Sequence, residues 1–108
     1  MELADKSCVP CEGGVQPLTP DQAHELGRKT PNWEVEEKRI HRTFTFGNFV
    51  EAMAFANRIA DVAEEENHHP DLHISWGKVV VELSTHKIGG LSENDFILAA
   101  KIDKLFSG

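Results

Sequence analysis

The sequence predicts an α+β domain, a four-stranded antiparallel sheet with helices packed on one face, in the order α-β-β-α-β-β-α. Two segments alternate apolar and polar residues with a period of two, as β-hairpins do. Three segments repeat their apolar residues at helical spacing, and each begins with a capping signal. Hairpins and helices with one apolar face each bury that face best against one another in two layers.

The N-terminal segment differs from the rest of the chain. Residues 1–18 show no apolar period and contain two prolines and two glycines, so we predict an arm that is ordered only if something ties it down. The domain proper is expected to span 19–108. It begins with a helix over about 20–29, because Thr19 can cap it, Pro20 suits its first position and Gln22 completes a capping box.

A hairpin over about 33–46 is predicted next, with its turn near 36–38 and the longer strand second. Asn48 and Glu51 then signal the start of the second helix, and Pro70 forces that helix to stop before His69. The expected apolar stripe of this helix consists of Phe49, Ala52, Met53, Ala56, Ile59, Ala60 and Ala63.

The second hairpin turns at a glycine, and its register can be predicted. If the turn is symmetric about Gly77-Lys78, three apolar pairs face one another, namely Trp76 with Val79, Ile74 with Val81 and Leu72 with Leu83. Extending the same register sets His69 across from His86. After it, Ser92 is expected to cap a last helix while Asp95 reaches back. That helix runs to about Phe106 and buries Leu98, Ala99, Ile102, Leu105 and Phe106.

Composition excludes several classes of function. Eighteen acidic against eleven basic residues give a formal charge of -7, which repels phosphate backbones, so we expect no direct nucleic-acid binding. No stretch is long and apolar enough for a membrane span, and the first residues lack the pattern of a signal peptide. The two cysteines, Cys8 and Cys11, are too few and too close to staple a secreted fold. A cytoplasmic protein is therefore predicted.

Three histidines are the main candidates for chemistry. His68 and His69 lie where the second helix must end, and Glu64 precedes His68 by four residues on the same helical face, so its carboxylate would orient that ring. The predicted register adds His86. Three imidazoles around one spot would form an acid/base site for eliminating or adding water.

Other interpretations of these residues stay open. The His pair alone fits a helix C-terminus stabilised through its dipole, and three histidines could also bind zinc with one open position. Cys8 and Cys11 could bind metal or cycle as a dithiol, although their place in the arm favours no function. Asp95 is explained by the capping box, and Trp33 suits the core or an aromatic rim for a flat bicyclic ligand.

The combined motifs resemble the pterin-4a-carbinolamine dehydratase family. The resemblance covers about Leu18 to Phe106 and rests on three strings: Glu64-Glu65-Glu66-Asn67-His68-His69-Pro70, Ser84-Thr85-His86, and Gly90-Leu91-Ser92-Glu93-Asn94-Asp95. It implies the fold derived above and the dehydration of 4a-hydroxytetrahydropterin to quinonoid dihydropterin, which recycles the cofactor of aromatic amino acid hydroxylases.

By that likeness the catalytic residues would be His68, His69 and His86. The supporting or substrate-binding residues would be Glu64, Asp95, Trp33, Pro70 and Thr85. The resemblance further implies a small-molecule pterin substrate, no metal, no organic cofactor and a homodimer or homotetramer. Some relatives instead act as dimerisation partners of transcription factors or as degenerate RuBisCO assembly factors, and these are expected to have lost the histidines.

Overall fold

The computed structural model describes residues 2–9 and 16–107. It contains a four-stranded antiparallel sheet of order β1-β2-β4-β3 and three helices, which confirms the predicted fold class. The elements are α1 (Pro20–Gly27), β1 (Glu34–Val35), β2 (Ile40–Thr45), α2 (Phe49–Glu66), β3 (Asp71–Ser75), β4 (Lys78–Leu83) and α3 (Glu93–Ser107). No helix in the described part of the chain has the length and apolar character needed to cross a membrane.

Local hydrogen bonds fix where α1 and α2 begin. The Thr19 hydroxyl accepts from the Gln22 backbone N–H while the Gln22 side chain accepts from the Thr19 N–H, the predicted capping box. Asn48 Oδ1 accepts from the Glu51 N–H at 2.8 Å. At the other end of α2, Asn67 adopts a left-handed conformation with φ 53° and ψ 39°, which ends the helix ahead of Pro70.

The second hairpin has a different register from the predicted one. Its turn is centred on Trp76-Gly77, one residue earlier than expected, so Ser75 faces Lys78 and Ile74 faces Val79. The predicted register, including His69 across from His86, is therefore wrong. The predicted apolar face survives in part, because moving a turn by one residue shifts the partners by two and keeps each side chain on its face.

The core lies between the sheet and the helices. Ile40 and Phe44 of β2 alternate with exposed or half-buried residues, and so do the buried Val79, Val81 and Leu83 of β4. From the helices the buried apolar side chains are Ala52, Phe55, Ala56, Ile59 and Ala63 of α2, and Phe96, Ile97, Leu98, Ala99 and Ile102 of α3.

The predicted helical stripes need correction at their ends. Phe49, Met53 and Ala60 of α2 are exposed, and Phe55 is buried in their place. At the end of α3, Phe106 is 42% exposed, although its ring contacts those of Phe44 and Phe55. In α2 the exposed Met53 and Ala60 and the buried Phe55 show that this helix turns a slightly different face to the sheet than predicted. Phe49 and Phe106 lie in end turns of their helices, where an apolar residue can lie beyond the reach of the core.

The described part of the N-terminal arm packs on α3. A 3₁₀ turn at Leu3–Asp5 buries Leu3, and Lys101 of α3 donates from Nζ to the Ala4 carbonyl at 2.9 Å. We predicted that the arm would be ordered only if contacts held it in place. These contacts hold its described part against α3. The prediction for the Cys8–Cys11 pair falls partly outside the described residues, because Cys11 is not among them.

Candidate active site

The end of α2, the segment after β4 and the start of α3 meet at one cleft of about 270 Å³. All three predicted catalytic histidines line it. The lining residues are Val9, Asn67, His68, His69, Ser84, Thr85, His86, Lys87 and Asn94. The structure thus brings His68, His69 and His86 together, although by a different route from the predicted strand pairing.

His68 is held by a buried carboxylate. Its Nε2 lies 2.7 Å from Oδ1 of Asp95, and the side chains are 12% and 0% exposed. Asp95 Oδ2 also accepts from the Thr85 hydroxyl at 2.9 Å and from the Ser92 N–H at 3.0 Å. An ionised carboxylate only accepts, so with Asp95 ionised this contact requires a proton on His68 Nε2 and leaves Nδ1 as the ring nitrogen that Asp95 does not engage.

Asp95 therefore has two structural tasks. Its bond to the Ser92 N–H is the predicted reach-back at the start of α3, and the same oxygen accepts from Thr85. The Ser92 hydroxyl lies 2.8 Å from the Thr85 hydroxyl, so the capping residue itself joins this network. The sequence argument gave Asp95 mainly a capping role and missed its contact with His68.

His69, rather than His68, pairs with Glu64. Nε2 of His69 lies 2.5 Å from Glu64 Oε2, and the two side chains are 52% and 77% exposed. The predicted Glu64–His68 pair is wrong, because α2 ends at Glu66 and the left-handed Asn67 redirects the chain. The four-residue spacing applies only while the helix continues.

His86 reaches the cleft through a short loop. Past the end of β4, Thr85 and Gly90 form an isolated antiparallel bridge, with the Thr85 N–H donating to the Gly90 carbonyl at 2.8 Å. A 3₁₀ turn at His86–Ile88 and a left-handed Gly89 with φ 69° fill the loop between them. The His86 side chain is exposed and makes no hydrogen bond or ion pair within residues 2–9 and 16–107.

His86 also lines a second cleft of about 360 Å³, which shares Ser84 and Thr85 with the first. Larger depressions lie elsewhere on the surface. One of about 510 Å³ between α1 and β1 includes His24 and Arg28 but no carboxylate among its lining residues. The histidine cleft is the candidate site because of the chemistry of its lining residues, and not because of its volume.

Four of the five predicted supporting residues do not line this cleft. Two of the four are bonded to its histidines, and the other two are Trp33 and Pro70. Trp33 is 4% exposed, its ring centroid lies 6.1 Å from that of Phe44, and its Nε1 donates to Asp103 Oδ1 at 2.9 Å. These are contacts of a core residue. Pro70 is half-buried beside His69, and its evident role is to keep α2 from continuing.

Five residues that line the cleft were not predicted, and two of them, Asn94 and Val9, bind each other. Asn94, 4% exposed, donates from Nδ2 to the Val9 carbonyl and accepts from the Val9 N–H at 3.0 Å. Val9 thereby joins the lining from the N-terminal arm. No sequence pattern signals a contact between residues so far apart, because neither periodicity nor capping extends that far.

The thiol next to Val9 is strongly perturbed. Burial, as the larger cause, and the neighbouring Glu66 carboxylate together raise the pKa of Cys8 from 9.0 to about 12. Its Sγ lies 3.7 Å from the Asn94 carbonyl. A thiol with so high a pKa is mostly protonated at neutral pH, which argues against a thiolate function at Cys8. Among the described residues no three His, Cys, Asp or Glu side chains are grouped to hold a metal ion.

Comparison with known proteins decides the family. The sequence profile described as "Pterin 4 alpha carbinolamine dehydratase" matches residues 16–105. The chain belongs to this family. The match includes every residue of the histidine cleft except Val9, so the family resemblance and the observed cleft fall on the same part of the chain.

Relatives of the dehydratase family match over nearly their whole length. The chain is 51% identical over 105 residues to a protein of Rubrobacter xylanophilus, covering 96% of this chain and 98% of that one. It is 53% identical over 103 residues to a protein of Rickettsia canadensis, covering 94% of each. Both carry the name "Putative pterin-4-alpha-carbinolamine dehydratase".

Two solved structures resemble the dehydratase fold seen here. A transcriptional coactivator/pterin dehydratase from Brucella melitensis superposes with a TM-score of 0.78 at 30% identity, over 83% of this chain and 98% of that one. A pterin dehydratase-like protein described as a RuBisCO assembly factor of the alpha-carboxysome gives 0.56 at 23% identity, over 68% and 84%. The second likeness concerns the fold alone.

Proposed function

We propose that the histidine cleft dehydrates 4a-hydroxytetrahydropterin (pterin-4a-carbinolamine) to the quinonoid dihydropterin. The observation that carries this proposal is that His68, His69 and His86 line one cleft, with His68 held by the buried Asp95. Acid/base chemistry needs groups that exchange protons near neutral pH, and imidazole is the side chain best suited to it. Membership of the dehydratase family supports the same reaction.

The elimination breaks the C4a–O and N5–H bonds and forms the C4a–N5 double bond and one O–H bond of water. His68 and His86 act as general acids, one for each face of the ring, so that a single proton from one of them converts the departing 4a-hydroxyl to water. The N5 proton passes to solvent water, and the histidine regains its proton from solvent. For His68 the proton would pass through Nδ1, because Nε2 is bound to Asp95. His86 lines both the histidine cleft and the neighbouring cleft of about 360 Å³.

His69 positions the substrate in this scheme. Its bond to Glu64 orients the ring, but both side chains are exposed, so that pair contributes only about 0–1 kcal/mol to stability. Thr85 acts through Asp95, to which its hydroxyl donates. In this proposal Glu64, Thr85 and Asp95 are positioning residues.

The wider role of the protein follows from that reaction. The enzyme would recycle tetrahydropterin for aromatic amino acid hydroxylases in the cytoplasm, without a metal or an organic cofactor. A homodimer or homotetramer is expected from the family resemblance. Light scattering on the purified protein, giving two or four times the chain mass, checks that expectation.

A stopped-flow assay tests the reaction directly. The 4a-carbinolamine is generated with an aromatic amino acid hydroxylase, and its loss is followed with and without this protein. Acceleration in proportion to protein concentration is expected. A loss rate equal to the uncatalysed one at every protein concentration would contradict the proposal.

A non-catalytic dimerisation or assembly partner is the alternative function. The description of the Brucella melitensis relative as a coactivator as well as a dehydratase supports keeping it, whereas the presence of all three histidines in the cleft supports an enzyme. Recovery of a stoichiometric protein partner together with no effect on carbinolamine would reverse the order. A zinc-dependent hydrolase is a third hypothesis. It predicts that elemental analysis of the purified protein finds bound zinc and that a chelator abolishes activity.

A further inference from the structure

The described arm segment, residues 2–9, reaches the histidine cleft at Val9, whose backbone is fixed there. The Val9 N–H donates to Asn94 Oδ1 at 3.0 Å, and Asn94 Nδ2 donates back to the Val9 carbonyl. One residue earlier, the Cys8 N–H donates to Glu66 Oε1 at 2.8 Å. Asn94 and Glu66 are themselves largely buried, so they hold the arm from a rigid base.

Residues earlier in the arm also make contacts that hold it along α3. Leu3 is 4% exposed in the core, Lys101 binds the Ala4 carbonyl, and Lys6 Nζ lies 3.0 Å from Glu93 Oε2. The arm thus runs along α3 from a buried anchor to the cleft. Its path is set by bonds to backbone atoms, which depend little on the identity of the Val9 side chain.

The Val9 side chain, in contrast, is left in solvent. It is 64% exposed and lines the cleft with His68, His69 and His86. Among the described lining residues, Val9 alone carries a branched hydrocarbon side chain; the others are polar. A fixed apolar group beside groups that exchange protons is a common arrangement in ligand sites, where apolar surface holds the ligand and polar groups orient it.

We infer that Val9 is a specificity-determining residue, whose isopropyl group forms the apolar wall of the substrate cleft and limits the bulk of the pterin that enters. The inference rests on the proposed dehydratase function and extends it to the arm. Val9 contributes contact area and no proton. Changing its size therefore acts on substrate binding and selectivity, and leaves the acid/base step to the histidines.

Two substitutions at Val9 test this, with a matched pair at Val50 as control. Val50 is 77% exposed on α2 and does not line the cleft. The substrates are the carbinolamines of a 6-methyl pterin and of a pterin with a dihydroxypropyl group at C6. The product-like dihydropterins serve as ligands in calorimetry.

Val9→Ala removes two methyl groups and is expected to raise KM and the dihydropterin Kd by about 3- to 30-fold with kcat near that of the unmodified protein. Val9→Trp narrows the cleft and is expected to reduce kcat/KM for the dihydroxypropyl substrate at least about tenfold more than for the 6-methyl one. Val50→Ala and Val50→Trp should change neither quantity. Because Val9 is exposed, all four proteins should fold, which circular dichroism checks.

The possible outcomes distinguish a failure of the inference about Val9 from a failure of the proposed dehydratase function. If the unmodified protein is active and the Val9 proteins match their Val50 counterparts in KM, Kd and selectivity, the wall assigned to Val9 does not exist. If the unmodified protein neither accelerates carbinolamine loss nor binds the dihydropterins, the proposed function fails and takes this inference with it. A selectivity change confined to the Val9 proteins supports both.

Discussion

Two histidine–carboxylate pairs lie at the cleft, and exposure separates their roles. The His69–Glu64 pair is open to water, where a surface ion pair is worth about 0–1 kcal/mol and is screened by salt. The His68–Asp95 pair is enclosed, and Asp95 is fully buried with two further donors. Changes at Asp95 should therefore matter more than changes at Glu64.

Replacing Asp95 with Asn should damage both activity and stability. The amide nitrogen donates where an oxygen accepted, so at least one of the three donors from His68, Thr85 and Ser92 loses its partner. We expect turnover to fall by on the order of 10² to 10⁴ and the free energy of unfolding to fall by about 1–3 kcal/mol. Carbinolamine kinetics and urea denaturation measure the two effects.

Thr85→Val provides the graded comparison, because it removes one donor and leaves the carboxylate with two. Its loss of stability should be about 1 kcal/mol and its loss of turnover no more than about tenfold. Equal turnover in Asp95→Asn and the unmodified protein would mean that the carboxylate has no part in the reaction.

His86→Ala should separate activity from folding. The side chain is exposed and makes no hydrogen bond or ion pair in the described part of the chain, so its removal should leave the unfolding midpoint nearly unchanged. The rate of dehydration should fall by on the order of 10² to 10⁴, the usual contribution of one general acid or base. The control is His24→Ala, an exposed histidine on α1 outside the cleft. A folded His86→Ala protein with an unchanged rate would remove His86 from the mechanism.

At the scale of an element, the end of α2 decides where His68 and His69 lie. Asn67 sits at φ 53°, where most side chains cost roughly 1–2 kcal/mol and glycine costs none. We expect Asn67→Ala to lower the free energy of unfolding by about 1 kcal/mol and Asn67→Gly to lower it little or not at all. Urea denaturation measures both.

Asn57→Ala, at an exposed position within α2, is the control for the amide itself. It should be neutral or slightly stabilising, because alanine is the better helix former. A stability of Asn67→Ala equal to that of Asn67→Gly would show that the left-handed turn carries no cost.

The sequence predicted the elements well and the second hairpin's register wrongly. Alternation specifies which face each residue occupies, but a turn centred on Gly77-Lys78 and one centred on Trp76-Gly77 give the same faces. Only the cross-strand partners differ. The helix stripe of α2 failed similarly, since the apolar Phe49 and Met53 near its start fit the period yet remain exposed.

At the scale of the whole molecule, three histidines meet although the predicted reason for their meeting was wrong. His68 and His69 were expected at the end of α2 because of Pro70, but the helix ends at Glu66 and the left-handed Asn67 sets their positions. His86 arrives through the loop closed by the Thr85–Gly90 bridge, which no pattern in the sequence specifies. The contact of the arm with Asn94 was equally invisible, because it joins segments that share no local signal.

The docking of the arm should be visible in the chemistry of Cys8. Its pKa is raised to about 12 by burial first and by Glu66 next, so the thiol stays protonated until the pH approaches that value. In a Cys11→Ser protein at pH 8, the thiolate fraction of Cys8 should be lower than in the unfolded chain by on the order of 10³. Iodoacetamide labelling followed by mass spectrometry measures the rate.

Labelling of the same protein in urea gives the reference rate for a free thiol. We expect Cys8 to be labelled far faster in urea than in the folded protein at pH 8. In the folded protein the labelling rate should rise only toward strongly alkaline pH. Equal labelling in the folded and unfolded protein would contradict a docked arm, and with it the position of Val9.

One oxygen of Asp95 both starts α3 and accepts from Thr85, while the other holds His68, so under the proposed function stability and catalysis would both constrain this one side chain. A descendant that had abandoned catalysis would still lose about 1–3 kcal/mol of stability without the carboxylate. Finding an aspartate at this position in another genome would therefore say little about whether its bearer is an enzyme. The His86 side chain makes no hydrogen bond or ion pair in the described part of the chain, so it would be free to drift once the proposed reaction was no longer needed, and it would be the better marker for sorting active from inactive descendants.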